Sequence, residues 1–322
     1  MKSIILLSGD EPVLVEGELK GSVVGESAEI LERQGRIALI SEREQGLVFN
    51  RMGYARMWSK YLASGSLDDV VSSLSSFELP EGRYAVRATR YGEFSGRTLD
   101  VENSVGYVIG KKRKIDLTNP EVIVDIYLGE KVYAGIRMRD TRGIPERQPT
   151  KRPFFSPVTL HPKMARALIN LTGIERGRRI LDPFSGTGAI LVEAGLMGLH
   201  PIGTDLDPDM VEGARRNMRH YGIKGEVSLM DIDGIRDLEG IDAISTDPPY
   251  GRSSTTNKEP VETLYKRAFE ASADVLRRGK RMSVILPSED YIELADAFRI
   301  LEVYPVKVHR SLTRYFYALE RS

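Results

Sequence analysis

The 322-residue chain has no cysteine, a single tryptophan and only four histidines. Without cysteine there can be no disulfide framework and no thiolate metal site. The histidines, at 161, 200, 220 and 309, are scattered without ligand spacing, so no metal ligand is assigned. No apolar run approaches the ~18 residues of a membrane span. The opening "MKSIILLS" has four consecutive apolar residues, against the ~7–15 of a signal-peptide core. It reads as a first strand, and a cytoplasmic protein without membrane contact is the expectation. Net charge is missing too, because 46 Lys and Arg balance 46 Asp and Glu.

That zero hides an asymmetry. Residues 81–163 hold 16 Lys and Arg against 10 Asp and Glu, while both flanks are negative. A local cationic surplus is the footprint of a polyanion-binding module, although a solvated loop-rich face would look the same.

The length allows two or three domains, each with its own core. The stretch "IPERQPTKRPFFSP" (144–157) holds four prolines without helical or strand period, which marks a linker. Beyond it, strands at 179–183, 201–205, 226–230, 242–247 and 281–287 alternate with helical patterns at 188–199, 208–221 and 261–278. This alternation predicts parallel βαβ units in a doubly wound α/β sheet. Two β-rich runs, 301–309 and 313–320, close it as an antiparallel hairpin, the arrangement of Rossmann-like methyltransferases. Before the linker, 84–90, 122–128 and 131–138 read as strands, the last two joined through Gly129 and Glu130. Residues 97–110 read as a helix, and residues 1–55 as a separate small unit.

The first strand after the linker runs into "LDPFSGTGAI". Gly186 and Gly188 let a ligand approach the backbone closely. A dinucleotide fingerprint would need glycine at 191, where leucine stands, and no Gly-Lys-Ser/Thr closes a P-loop. Asp205 ends the second strand, where a carboxylate can accept from both ribose hydroxyls and would repel a phosphate. Asp231 ends the third, placed for an adenine amino group, and Asp182 ends the first. Carboxylates at three strand tips suit a ligand carrying an ammonium, a sulfonium and a ribose, as S-adenosylmethionine does. The competing reading, helix N-caps, fits Asp207 better than Asp205.

The fourth strand ends in "DPPYG" (247–251). The lone pair of an exocyclic purine amine is delocalised into its ring, which makes it a poor nucleophile. Asp247 and the Pro248 carbonyl, accepting from its two N–H bonds, would orient that lone pair and favour the charge that develops on nitrogen. The prolines fix φ, Pro249 removes a competing donor, and Tyr250 offers a stacking face for a base turned out of its helix.

"LDPFSGTG", "GTDLD", "MDID" and "DPPYG" in this order resemble the amino-methyltransferase branch of the S-adenosylmethionine enzymes. "FFSPVTLHPKMARALINLTG" (154–173) resembles the segment preceding the first strand in RNA guanine-N2 members. "KIDLTNPEVIVDIYLGEKVYAGI" (114–136) resembles the THUMP RNA-binding domain. Together they are similar, over essentially the whole chain, to the archaeal tRNA guanosine-10 N2-methyltransferase family. The resemblance implies an N-terminal α+β ferredoxin-like domain (1–55), a THUMP domain (56–143), the linker (144–157) and a Rossmann-like methyltransferase domain (158–322). It implies that Asp247, Pro248, Pro249 and Tyr250 grip a guanine. Asp182, Phe184, Gly186, Gly188, Asp205, Leu206, Asp231 and Ile232 would hold S-adenosylmethionine. Arg87, Arg90, Lys111, Lys112, Arg113 and Lys114 become candidate phosphate contacts to tRNA. The loop 251–260 is expected to order over the bound base, and a small zinc-binding activator subunit is a candidate partner. A DNA adenine-N6 methyltransferase shares the catalytic tetrapeptide and stays open as an alternative, as does a non-catalytic RNA-binding protein.

Overall fold

The computed structural model describes residues 1–157, 159–251, 259–309 and 312–322, and most of the loop expected over the bound base lies outside them. The chain divides into two compact units. One is Met1–Gly9, Ala28–Phe49 and Ala55–Thr141; the other is Asp10–Ser27, Asn50–Tyr54 and Arg142–Ser322. Helix α1 (Pro12–Gly25) therefore belongs to the second unit, and α2 (Leu47–Arg51) spans a crossing point.

The first unit is built on one eight-stranded sheet. Its strands are β1 (Lys2–Leu7), β2 (Glu29–Gln34), β3 (Ile37–Ser41), β4 (Ala55–Gly65), β5 (Arg83–Arg90), β6 (Lys114–Ile115), β7 (Val122–Leu128) and β8 (Val132–Arg137). They lie in the order β2-β3-β1-β4-β8-β7-β5-β6. Strands from 1–55 and from 56–143 thus share a sheet, with β1 pairing antiparallel to β4. The apolar run Ile4–Leu7 is buried throughout, on a strand that lies inside the sheet between β3 and β4. Helices α3 (Leu67–Ser76) and α4 (Thr98–Gly110) contribute Val70, Leu74, Val101, Val105 and Ile109 to one core; Ile4, Leu6, Ile37, Leu39, Tyr127 and Tyr133 form another. A capping box starts α3: Ser66 Oγ accepts from the Asp69 amide and Asp69 from the Ser66 amide, satisfying two otherwise unpaired donors.

The second unit carries a seven-stranded sheet flanked by helices. After α5 (Pro162–Leu171) come β9 (Arg179–Asp182), α6 (Ala189–Leu196), β10 (His200–Asp205), α7 (Pro208–His220) and β11 (Glu226–Leu229). Then follow β12 (Ala243–Thr246), α8 (Val261–Val275), β13 (Arg281–Leu286), β14 (Phe298–His309) and β15 (Leu312–Arg321). The order is β11-β10-β9-β12-β13-β15-β14. The first five strands are parallel, and β15 runs antiparallel to both β13 and β14. The order reverses between β9 and β12, which opens a crevice at their C-terminal ends.

Helix α1 joins this unit through glycine. Gly17, Gly21 and Gly25 recur every fourth residue, so they share one helix face. A Cβ at Gly21 would fall 1.7 Å from the Asn170 carbonyl oxygen on α5. Buried polar pairs hold the crossing. Glu18 accepts from the amides of Gly53 and Tyr54 and from Asn170 Nδ2, while Arg51 donates to Asn170 Oδ1 and pairs with Glu26 at 3.3 Å. Glu193 on α6 is fully buried and takes both Arg147, at 2.8 Å, and Arg166, at 2.7 Å. The proline-rich stretch after residue 143 begins as two 3-10 turns, Ile144–Arg147 and Pro149–Lys151, within this unit. Among the described residues no helix is long and apolar enough to cross a membrane.

Candidate active site

The crevice between β9 and β12 collects the acidic strand tips. Asp182 is buried at the end of β9, and its Oδ1 accepts from Thr246 Oγ1 at 2.8 Å and from the Phe184 amide at 3.3 Å. Burial pushes its carboxyl up to about 7, and the charges of Asp205 and Asp247 add to the rise. The loop after it turns through Gly186 (φ 47°) and Gly188 (φ 77°), left-handed conformations open to glycine at little cost. A Cβ at Gly186 would meet nothing within 4 Å, which leaves the backbone open to a ligand.

Asp205, at the tip of β10, uses Oδ2 to accept from the Gly186 amide at 2.8 Å and Oδ1 to accept from the Asp207 amide at 3.0 Å. It therefore sets the shape of the glycine turn, and each oxygen keeps a second lone pair for another donor. Its pKa is raised by burial. Asp207 caps α7 by accepting from the Asp209 amide. Leu206 exposes half its surface, whereas Ile232 is buried.

Asp231 is engaged elsewhere. Its carboxylate accepts from Arg267 Nη2 at 2.6 and 3.0 Å and from the Ile232 amide at 2.6 Å. Arg267 also bridges Asp233 and Glu259. Burial works against the charged guanidinium, but the bonds it donates to these carboxylates outweigh it and raise its pKa. The strand-tip position of Asp231 gave no sign of this partner, which comes from α8.

Asp247 follows β12. Its Oδ1 accepts from the Tyr250 hydroxyl at 2.6 Å, and the Pro249 carbonyl accepts from the Tyr265 hydroxyl at 3.0 Å. Among the described residues nothing donates to Asp247 Oδ2 or to the Pro248 carbonyl. Two acceptors are thus left for an incoming amine. Burial raises the pKa of Asp247, opposed by the positive charge of Arg314 and by the Tyr250 bond. Arg314, on β15, sits with its guanidinium carbon 5.7 Å from the Tyr250 ring centre. A lone arginine in a β-rich run carried no signal of this contact.

A cleft runs between the glycine turn and Asp247. It is lined by Ser156, Thr159 and Leu160 from the segment before α5, by Asp182, Phe184, Ser185, Gly186, Thr187, Ala189 and Ile190, and by Met210 and Asp247. The lining fits a cationic ligand: buried carboxylates strain against each other's charge, and among the described residues Ser185 Oγ is buried without a hydrogen-bond partner.

The candidate RNA residues lie in the first unit. Lys111, Lys112 and Lys114 are exposed, and Lys111 Nζ stands 4.5 Å from the Tyr107 ring centre. Arg87 donates to the carbonyls of Val86 and Leu117, Arg90 to that of Gly96, and Arg113 to those of Leu79 and Pro80. Lys112 Nζ also reaches the Phe77 carbonyl, at 3.5 Å, so Lys111 and Lys114 carry the more available charge.

A parallel sheet in this order, closed by an antiparallel hairpin, with a glycine turn on β9 and an Asp-Pro-Pro-Tyr tip on β12, defines a Rossmann-like S-adenosylmethionine-dependent methyltransferase. Residues 149–315 match the family model of the RMKL-like methyltransferase domain. The chain is 36% identical to the tRNA (guanine(10)-N2)-dimethyltransferase of Pyrococcus abyssi, over 96% of each chain. It is 34% identical to the enzyme of that name from Methanothermobacter thermautotrophicus, over 100% of both. The fold is similar to TrmN from Thermus thermophilus, with a TM-score of 0.56 and 23% identity over the full length of each. The chain belongs to the tRNA (guanine(10)-N2)-dimethyltransferase family.

Proposed function

We propose that this protein methylates the exocyclic N2 of a guanosine in tRNA, at position 10 and on to the dimethyl product for which its archaeal relatives are named. The observation that carries the reading is the pair of acceptors left unclaimed among the described residues, Asp247 Oδ2 and the Pro248 carbonyl, with Asp247 lining the crevice that also holds Asp182 and Gly186. Bound S-adenosylmethionine supplies the electrophilic methyl group.

Asp247 and Pro248 accept from the two N–H bonds of N2, turn its lone pair out of conjugation, and stabilise positive charge on nitrogen as the new bond forms. Asp247 is also the adjacent base for the proton that N2 sheds. Pro249 removes a competing donor, and the bond from Tyr265 fixes its carbonyl and with it the direction of the tetrapeptide. Tyr250 holds Asp247 through its hydroxyl and offers its ring to the base. Asp182, Phe184, Gly186, Gly188 and Asp205 seat the cofactor, with Leu206 and Ile232 as apolar surface. Asp231 joins them through the lone pair that Oδ2 keeps beside its bond from Arg267.

Residues 56–143 act as a THUMP domain that binds tRNA through Lys111, Lys112 and Lys114, with Arg87, Arg90 and Arg113 as secondary contacts. A cytoplasmic location suits such a substrate, and a small zinc-binding activator subunit is a candidate partner. The test is to incubate the purified chain alone with S-adenosylmethionine and an unmodified tRNA transcript, then identify nucleosides by mass spectrometry. N2,N2-dimethylguanosine is expected, and Asp247→Ala should lower its formation by about a hundredfold or more, a far larger effect than on cofactor affinity. Activity appearing only with an added subunit would make that partner obligatory. Methyl transfer to adenine in duplex DNA, with tRNA untouched, would overturn the reading.

A further inference from the structure

Arg314 has no place in the acceptor geometry described above, yet its surroundings are those of a working residue. It lies on β15, which pairs antiparallel to β13, and its guanidinium carbon stands 5.7 Å from the centre of the Tyr250 ring. Nη1 contacts the sulfur of Met164 on α5 at 3.9 Å. Nε is buried and has no hydrogen-bond partner among the described residues. A buried unpaired guanidinium donor costs stability unless something else compensates. Here the compensation on hand is electrostatic, because the Tyr250 ring face and the Asp247 carboxylate are both electron-rich.

We propose that Arg314 is a positioning residue for methyl transfer: it steadies the Tyr250 ring and keeps the Asp247 carboxylate charged and ready to accept from the target amine. The inference rests on the functional reading above and adds a residue to it. A protonated Asp247 would present a donor where the amine also presents one, so the nucleophile would not be held. Burial drives Asp247 towards that protonated form, and so does the buried carboxyl of Asp182 once it ionises. Tyr250 and Arg314 act in the opposite sense, Tyr250 by its hydrogen bond and Arg314 by its charge. Among the described residues Tyr265 is a further ionisable neighbour, and its hydroxyl is committed to the Pro249 carbonyl. Among these groups Arg314 is the one positive charge. Its reach through space also explains how it can act without touching the carboxylate.

The experiment is a pH–rate profile for tRNA methylation, comparing wild type, Arg314→Met and Arg314→Lys at saturating cofactor. Activity requires ionised Asp247, so the profile falls on its acid side. Removing the charge should move that fall to higher pH. For Arg314→Met we expect kcat about tenfold or more below wild type at pH 6 and within about threefold at pH 8.5. KM for tRNA should change less than kcat, and Arg314→Lys should restore the acid side. An Arg314→Met profile parallel to wild type at every pH would overturn the proposal. So would a loss confined to KM, since that would make Arg314 an RNA contact. If Arg314→Met does not fold, judged by thermal melting and cofactor binding, Arg314→Gln is read by the same criteria. Failure of both to fold would assign Arg314 to stability and overturn the proposal too. A wild-type enzyme without activity on tRNA would instead defeat the underlying functional reading.

Discussion

Replacing Gly21 with alanine sets two physical rules against each other. In a helix interior alanine is better than glycine by about 1 kcal/mol, so propensity alone predicts stabilisation. At this position the added Cβ would lie 1.7 Å from the Asn170 carbonyl oxygen, 2.5 Å from its carbon and 3.3 Å from the Leu171 nitrogen. These are backbone atoms, so no rotamer change can clear the overlap, and α1 and α5 must move apart. Overpacking of this kind costs about 1–3 kcal/mol. Separation also stretches the bond from Asn170 on α5 to Glu18 on α1, at 3.3 Å. Losing such buried, charge-assisted bonds costs about 1.5–3 kcal/mol more. The net expectation is a loss of about 2 kcal/mol or more after the propensity gain. Gly106 on α4 is the control, because a Cβ there meets nothing within 4 Å; Gly106→Ala should gain about 0.5–1 kcal/mol. Urea unfolding followed by far-ultraviolet circular dichroism compares the two. A Gly21→Ala protein that unfolds at the same or a higher urea concentration than wild type would refute the close-crossing argument.

Glu193→Ala strands two buried guanidiniums, those of Arg147 and Arg166. It should cost about 3–5 kcal/mol in the same urea assay, and a loss below about 1 kcal/mol would show the trio to be electrostatically idle. Asp182, pushed up to about 7 from an ordinary 3.8, contributes stability that is fully present below the ordinary value and is lost as pH rises through about 7. A cationic cofactor prefers the ionised form, so its affinity should fall by up to tenfold per pH unit below 7, with proton release on binding near neutrality. Calorimetry from pH 5.5 to 8.5 reads both effects, and a pH-independent affinity would remove Asp182 from the cofactor site. Neutralising Lys111, Lys112 and Lys114 together should flatten the salt dependence of tRNA binding by about 2 in log–log slope without changing cofactor affinity. An unchanged slope would place the RNA surface elsewhere.

The alternation of short β-branched runs with helical patterns, the glycine turn and the Asp-Pro-Pro-Tyr tip were legible because each is a local pattern. Strand period, positive-φ turns and proline stiffness are written within a few residues. Those signals placed Asp182, Asp205 and Asp247 at strand ends, and a parallel sheet then had to bring them to one crevice. They could not say what else would arrive there. Arg314 reaches Tyr250 only because β15 runs antiparallel beside β13. Asp231 looked free at its strand tip, yet Arg267 from α8 takes its carboxylate. The glycine repeat of α1 stood in plain view, but its partner on α5 lies far along the chain, and only packing shows that this N-terminal helix completes the second unit. Local sequence determined which elements form and which chemistry they present. Tertiary structure decided which charges meet, because electrostatic and packing energies depend on distances that chain order does not contain.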